Sequence, residues 1–188
     1  MEFLKVLRNP NTLTLFRIAS IPGIVLLMLH PTKLTAFLST IFFSVAAITD
    51  YLDGFFARRD GLVSNFGKMM DPLADKLLVS SAFIMMTYHG WIQGWIICII
   101  IGRELAITGL RNIIAEKGED FSASKLGKFK TGFQIAAIIP LLLHYSYFGI
   151  DFHQIGTLLL WIALVLTIWS GVDYFVRFGR LIKTEPFH

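Results

Sequence analysis

The chain is short of what a disulfide-braced, modular or water-soluble protein needs. It has one cysteine, Cys98, among 188 residues, so no disulfide can close within it. Cys98 lies in an apolar run and is expected to be a buried structural thiol rather than a reactive one. No repeat, low-complexity tract or linker divides the sequence, so residues 1–188 are expected to form one domain. Charged residues make up 16% of the chain, against about 25% in a soluble globular domain. No Cys/His set has the spacing of a zinc site. The net charge is +4, from 17 Lys and Arg against 13 Asp and Glu. So small an excess matters less than its placement, and no nucleic-acid partner is expected.

What fills the chain is apolar side chain. Hydrophobic residues make up 55% of it, and its mean hydropathy is +0.65. A membrane-crossing helix needs about 20 mostly apolar residues. Six stretches approach that: Leu13–Leu29, Leu34–Thr49, Leu73–Tyr88, Ile92–Leu110, Phe133–Tyr147 and Ile155–Phe175. The fold class expected is therefore all-α, an integral membrane bundle of six transmembrane helices. Met1–Arg8 alternates apolar and basic residues, which suits a short helix lying in the interface. Arg17 sits within the first apolar stretch and no small-residue cleavage site follows, so this segment is expected to be retained. Six spans place both termini on one side, together with sixteen of the 17 Lys and Arg residues; the other side takes only Lys33. By the positive-inside rule the basic side is cytoplasmic. His30, His89, His144 and His153 fall at the opposite ends. They are candidates for an outer metal site, though scattered interfacial histidines are the commoner arrangement.

One stretch breaks the apolar pattern: "DYLDGFFARRDGLVSNFGKMMDPLADK", from Asp50 to Lys76. Asp50 and Asp53 are three apart at the end of the second span. Asp71 and Asp75 are four apart at the start of the third. Residues three or four apart share a helix face, so each helix end can aim two carboxylates at one place. Four converging carboxylates repel unless protons or cations hold them together. Hard divalent cations take oxygen ligands, and Mg²⁺ completes its shell with water and substrate phosphate. Two such ions about 3.5–4 Å apart can clamp the attacking and leaving oxygens of a phosphoryl-type displacement. Between the pairs, Gly54 and Gly67 allow close backbone approach. Arg58 offers a forked contact to phosphate, and Ser64 and Asn65 offer neutral hydrogen bonds. Singly, each feature has a structural reading. Asp71-Pro72 is an ordinary helix start, and Arg58 and Arg59 are ordinary anchors. The combination makes those readings the weaker ones.

Asp50, Asp53, Gly54, Ala57, Arg58, Gly67, Asp71 and Asp75 spell D-x2-D-G-x2-A-R-x8-G-x3-D-x3-D. This pattern resembles, without departure, the signature of the CDP-alcohol phosphotransferase family. The stretches "NTLTLFR", "TDYLDGFFARR", "DPLADK", "GRELAITGLR" and "GKFKT" resemble its bacterial branch that takes glycerol 3-phosphate as acceptor. The resemblance implies a membrane enzyme of the bacterial inner membrane, with its active site facing the cytoplasm. It implies transfer of a phosphatidyl group from CDP-diacylglycerol to an alcohol, with release of CMP. It implies that Asp50, Asp53, Asp71 and Asp75 hold two divalent cations, Mg²⁺ or Mn²⁺, and that Asp75 is also the general base. It assigns Gly54, Arg58, Ser64, Gly67, Asn11 and Thr14 to the nucleotide and pyrophosphate, and it implies a homodimer among membrane lipid.

The basic residues bear on the acceptor. Arg103 and Glu104 stand within an apolar run, where charge is costly without a partner or a wet cavity. Arg103 and Arg111 are eight apart, roughly one helix face. With Lys128, and with Lys125 and Lys130 beside it, they form a candidate phosphate pocket, which favours glycerol 3-phosphate. The competing reading makes Lys117, Lys125 and Lys130 anchors at lipid headgroups. Serine, inositol phosphate and phosphatidylglycerol are the alternative acceptors. A cation- or proton-coupled transporter is the alternative class, but it would need acidic residues near the middle of several spans.

Overall fold

The structure, a computed structural model, describes the backbone of residues 10–60, 65–116, 125–147 and 149–184, and the side chains of 15–49, 70–114, 127, 129–147 and 149–179. Among these residues the chain forms six helices: α1 (Pro10–Leu29), α2 (Lys33–Asp60), α3 (Asn65–Tyr88), α4 (Gly94–Glu116), α5 (Lys125–Leu143) and α6 (Phe152–Thr184). A small antiparallel hairpin of β1 (Ser146–Tyr147) and β2 (Ile150–Asp151) lies between α5 and α6. The expected helical class is what the chain adopts. The expected interfacial helix at Met1–Arg8 lies outside the described residues.

Three boundaries differ from the sequence reading, each for a local reason. α2 does not stop at Thr49 but runs to Asp60, so Asp50 and Asp53 lie inside a helix rather than at its end. α3 begins at Asn65 and passes through Pro72, so Asp71 is not its N-cap. A proline inside a helix removes one backbone bond, and two other helices also carry one, at Pro22 and Pro140. α5 ends at Leu143, before the expected Tyr147, because His144 takes φ 52° and the chain turns into the hairpin. Among the described residues one helix, over 152–179, is long and apolar enough to cross a membrane by length and composition alone. In α3 and α4 the carboxylates and cations at Asp71, Asp75, Lys76, Arg103, Glu104 and Arg111 interrupt the apolar run.

The core is built from side chains of no exposed area on α1, α2, α3 and α5, including Met28, Phe43, Phe83, Met86, Ile138 and Leu141, with Leu160 of α6 beside them. Burying each such side chain stabilises the fold by about 1.5–3 kcal/mol in area terms. α5 and α6 form the most extensive helix pair. Their approach depends on Gly156, where an added Cβ would lie 2.6 Å from Leu141 Cγ and 2.8 Å from its backbone nitrogen. Helical hydroxyls are satisfied within their own helices: Ser39, Thr40, Thr87 and Thr157 each donate to the carbonyl four residues back. Cys98 faces outward on α4 and is exposed, not buried as its apolar surroundings suggested. An apolar neighbourhood in sequence does not say which side of the helix a residue takes.

The three short connections meet at one end of the bundle. Tyr145 Oη donates to the Pro31 carbonyl at 3.2 Å, and Tyr147 Oη to the Lys33 carbonyl at 2.9 Å. The His89 ring meets the Met28 carbonyl, and His144 stacks on Trp91 with centroids 3.8 Å apart. His144 Nδ1 and His153 Nδ1 lie 3.2 Å apart. Among the described residues no group of three or more metal-type side chains gathers here or elsewhere; the rings of His89, His144 and His153 pack at the turns.

Candidate active site

Asp75 of α3 and Lys130 of α5 each lie thirteen residues from the turn end of their helices, about 20 Å along at 1.5 Å per residue. At that level the helices enclose a cavity of about 430 Å³. α3 lines it with Asp75, Lys76 and Ser80, α4 with Arg103, Glu104 and Arg111, α5 with Lys130 and Gln134, and α6 with Tyr174. Helix-face spacing explains the convergence. Arg103, Ile107 and Arg111 repeat every four residues along α4, and Lys130 and Gln134 do so along α5.

The charged groups are held by one another. Lys130, only 5% exposed, pairs with Glu104. Glu104 also accepts from Arg103 Nη1 at 3.4 Å. Arg103 Nη2 donates to Ser170 Oγ at 3.0 Å, and the guanidinium lies 5.6 Å from the Tyr174 ring centroid, within cation–π range. Gly171 makes room for it: a Cβ there would lie 3.2 Å from Arg103 Cγ. Lys76 donates to Thr108 Oγ1, which in turn donates to the Glu104 carbonyl at 2.7 Å. Buried charge persists only when paired or facing polar space, and this network supplies both.

The structure brings together some of the residues singled out from the sequence. Arg103, Arg111 and Lys130 do face one space, together with Asp75. Lys130 is buried within the bundle, so it is no headgroup anchor. Asp71 lies one helical turn before Asp75, and its Oδ1 accepts from Arg17 Nη2 at 2.9 Å, with Arg17 buried at 1% exposure. The backbone places Asp50, Asp53, Gly54 and Arg58 on α2, Gly67 on α3, Asn11 and Thr14 on α1, and Lys125 and Lys128 on the first turn of α5. The side chains at these positions lie outside the described residues, as does Ser64 altogether. Sequence reasoning did not assign Arg17, Lys76, Glu104, Thr108, Gln134 or Tyr174. Two had a signal: Arg17 and Glu104 are charges within apolar runs. The others become functional candidates only through the packing of α3 against α4 and of α6 against both α4 and α5.

The donors described are oxygen donors. Asp71 and Asp75 share one face of α3, and among the described residues no thiol or imidazole lines the cavity. That chemistry fits a hard divalent cation such as Mg²⁺ or Mn²⁺.

Comparison with known proteins identifies the family. The family model for CDP-alcohol phosphatidyltransferase matches residues 7–169. A CDP-diacylglycerol–glycerol-3-phosphate 3-phosphatidyltransferase of Bacillus subtilis (strain 168) is 41% identical over 188 residues, covering 94% of this chain and 97% of the relative. The protein of the same name from Rickettsia typhi is 41% identical over 167 residues, covering 88% and 94%. That from Shigella flexneri serotype 5b is 40% identical over 169 residues, covering 88% and 91%. With the aspartate signature running unbroken along α2 and α3, and the match extending over most of the sequence, the chain belongs to the CDP-alcohol phosphatidyltransferase family.

Proposed function

We propose that this chain is a CDP-diacylglycerol–glycerol-3-phosphate 3-phosphatidyltransferase. It transfers the phosphatidyl group of CDP-diacylglycerol to glycerol 3-phosphate, giving phosphatidylglycerophosphate and CMP, a step of phospholipid biosynthesis. The relatives at about 40% identity carry that name. The observation that carries the reading is the cavity in which a motif carboxylate, Asp75, faces Lys76, Arg103, Arg111 and Lys130. A carboxylate beside a cluster of cations is what deprotonating the hydroxyl of a phosphorylated alcohol requires.

In this reading Arg103, Arg111 and Lys130 hold the acceptor phosphate, with Lys125 and Lys128 beside them. The acceptor hydroxyl then stands at Asp75. Its oxygen attacks the phosphatidyl phosphorus, the proton passes to the Asp75 carboxylate, and the bond to CMP breaks with its electron pair leaving on CMP. Asp50, Asp53, Asp71 and Asp75 are the residues to hold two divalent cations, Mg²⁺ or Mn²⁺, which when bound offset charge on the pyrophosphate. Gly54, Arg58, Ser64, Gly67, Asn11 and Thr14 are assigned to the nucleotide end. Arg17 orients Asp71.

Six membrane crossings, with both termini and the site on the cytoplasmic face of the inner membrane, fit the charge asymmetry and the outer surface. α6 exposes Leu158, Trp161, Val165, Trp169, Val172 and Val176 along one side, the kind of apolar patch that water disfavours and lipid accepts. A homodimer in that membrane completes the proposal.

Purified protein supplied with CDP-diacylglycerol and Mg²⁺ should release CMP with glycerol 3-phosphate. Turnover with serine or inositol phosphate but not with glycerol 3-phosphate would overturn the acceptor. Arg111→Ala should raise the acceptor KM by about tenfold or more, as expected for loss of one charge-assisted contact, and leave the KM for CDP-diacylglycerol nearly unchanged.

A further inference from the structure

An anion-binding pocket with a carboxylate in its wall is working against itself unless the carboxylate has a task. Glu104 is such a group. It lines the cavity with Asp75 and the cations, and it pairs with Lys130 and with Arg103. These are two of the cations to which the acceptor phosphate is assigned, so the pocket carries its own competing anion. Lys130 and Arg103 are almost wholly buried, at 5% and 9% exposure, whereas Glu104 is 23% exposed. The cations are fixed, and the carboxylate is the partner nearer to open space.

We infer that Glu104 is a specificity-determining residue, a resident counter-ion that an incoming anion must outcompete on Lys130 and Arg103. The inference rests on the acceptor-pocket reading above. A phosphomonoester carries a charge of about −1.5 to −2 near neutral pH and three strong acceptor oxygens. It can replace the Glu104 contacts and reach Arg111 as well. A carboxylate offers one charge and two oxygens, so it gains little by displacing another carboxylate. It also stands beside a like charge, which costs binding. Glu104 thus makes discrimination come from repulsion of the wrong anion as well as attraction of the right one. While the site is empty it also keeps Lys130 paired within the bundle.

The test compares glycerol 3-phosphate with glycerate, which keeps the hydroxylated skeleton but ends in a carboxylate. CMP release gives the KM for the first and the inhibition constant for the second, in wild type and in Glu104→Gln. Loss of the resident charge should tighten glycerate binding by about tenfold while the glycerol 3-phosphate KM moves by less than about threefold, since glycerate binds beside Glu104 and bears its repulsion, whereas glycerol 3-phosphate displaces the carboxylate from both cations. If both constants move by the same factor, or neither moves, Glu104 only props Lys130 and the inference fails. Glu104→Asp, which keeps the charge on a shorter arm, should fall between wild type and Glu104→Gln. Glu104→Ala, which also removes the charge, carries the test alone should the glutamine variant not fold, and wild-type discrimination in it would then overturn the proposal. Arg111→Ala run alongside separates the two readings. An unchanged acceptor KM there removes the pocket itself, whereas a raised KM there with unchanged discrimination in Glu104→Gln removes only the role of Glu104.

Discussion

Asp75 is the residue on which the proposed chemistry turns, because among the described residues it is the motif carboxylate that also lines the cation-walled cavity. Replacing it by Asn preserves shape and polarity but removes proton acceptance. A positioned general base contributes roughly 10²–10⁴-fold, so Asp75→Asn should lower kcat by at least about 100-fold. The variant should melt in detergent within a few degrees of wild type; a large loss of thermal stability would instead make Asp75 a structural residue. Much at this scale is written in the sequence. The 3- and 4-residue spacings of the aspartates, and the eight residues between Arg103 and Arg111, announce shared faces before any coordinates are seen. Glu104 is different. Its isolation in an apolar run says that it needs a partner, but that the partner is Lys130, 26 positions later, follows only from how α4 and α5 come together around the cavity. Arg17 likewise advertises a buried charge without naming Asp71.

Elements were legible in kind and less so in extent. Apolar runs locate all six helices, yet helix propagation carries α2 and α3 past the apolar stretches into the polar site, since backbone bonding continues wherever no breaker stops it. The α5–α6 hairpin had no such signature, because two-residue strands leave no alternation to read. The α5–α6 contact makes a firm prediction at Gly156. An added methyl would meet both the side chain and the backbone of Leu141, and the backbone cannot rotate away. Gly156→Ala should cost about 1–3 kcal/mol, the usual range for overpacking, seen as a lower Tm. Beside that hairpin, burial first and the neighbouring His153 second hold the His144 imidazole below its ordinary pKa of 6.5, with His89 acting in the same direction and Asp151 opposing. The folded state therefore favours neutral His144. Its contribution to stability is complete above about pH 6.5 and is lost as pH falls toward the folded value. Wild-type Tm should drop between about pH 7.5 and 5.5 by more than that of His144→Asn, asparagine being chosen because it tolerates the positive φ at this position. Equal drops would show that His144 does not carry the effect.

The whole molecule sorts charge by end. The turns at 30–32 and 89–93 and the hairpin before α6 meet at one end, where among the described residues Lys33 is the only Lys or Arg; the cavity, with Lys76, Arg103, Arg111 and Lys130, lies toward the opposite end. In a bilayer this asymmetry becomes an orientation. The proposed topology adds five crossings to α6, although among the described residues only 152–179 qualifies as a span on length and composition. A central charge costs about 2.5–3.5 kcal/mol on insertion scales. Arg103, Glu104 and Lys130 offset that through their mutual pairing, which a count of apolar residues cannot register. Thiol labelling distinguishes six crossings from one. With Cys98 replaced by Ser, Lys33→Cys and Asn112→Cys each present a single thiol at an exposed position, one at each end of the bundle. In intact spheroplasts a membrane-impermeant maleimide should modify Lys33→Cys at once and Asn112→Cys only after permeabilisation. A chain anchored by α6 alone keeps both positions on one side of the membrane. Equal labelling of the two would therefore reduce the bundle to a single crossing, whereas labelling of Asn112→Cys alone would invert it and put the catalytic cavity outside, away from the nucleotide it is proposed to use.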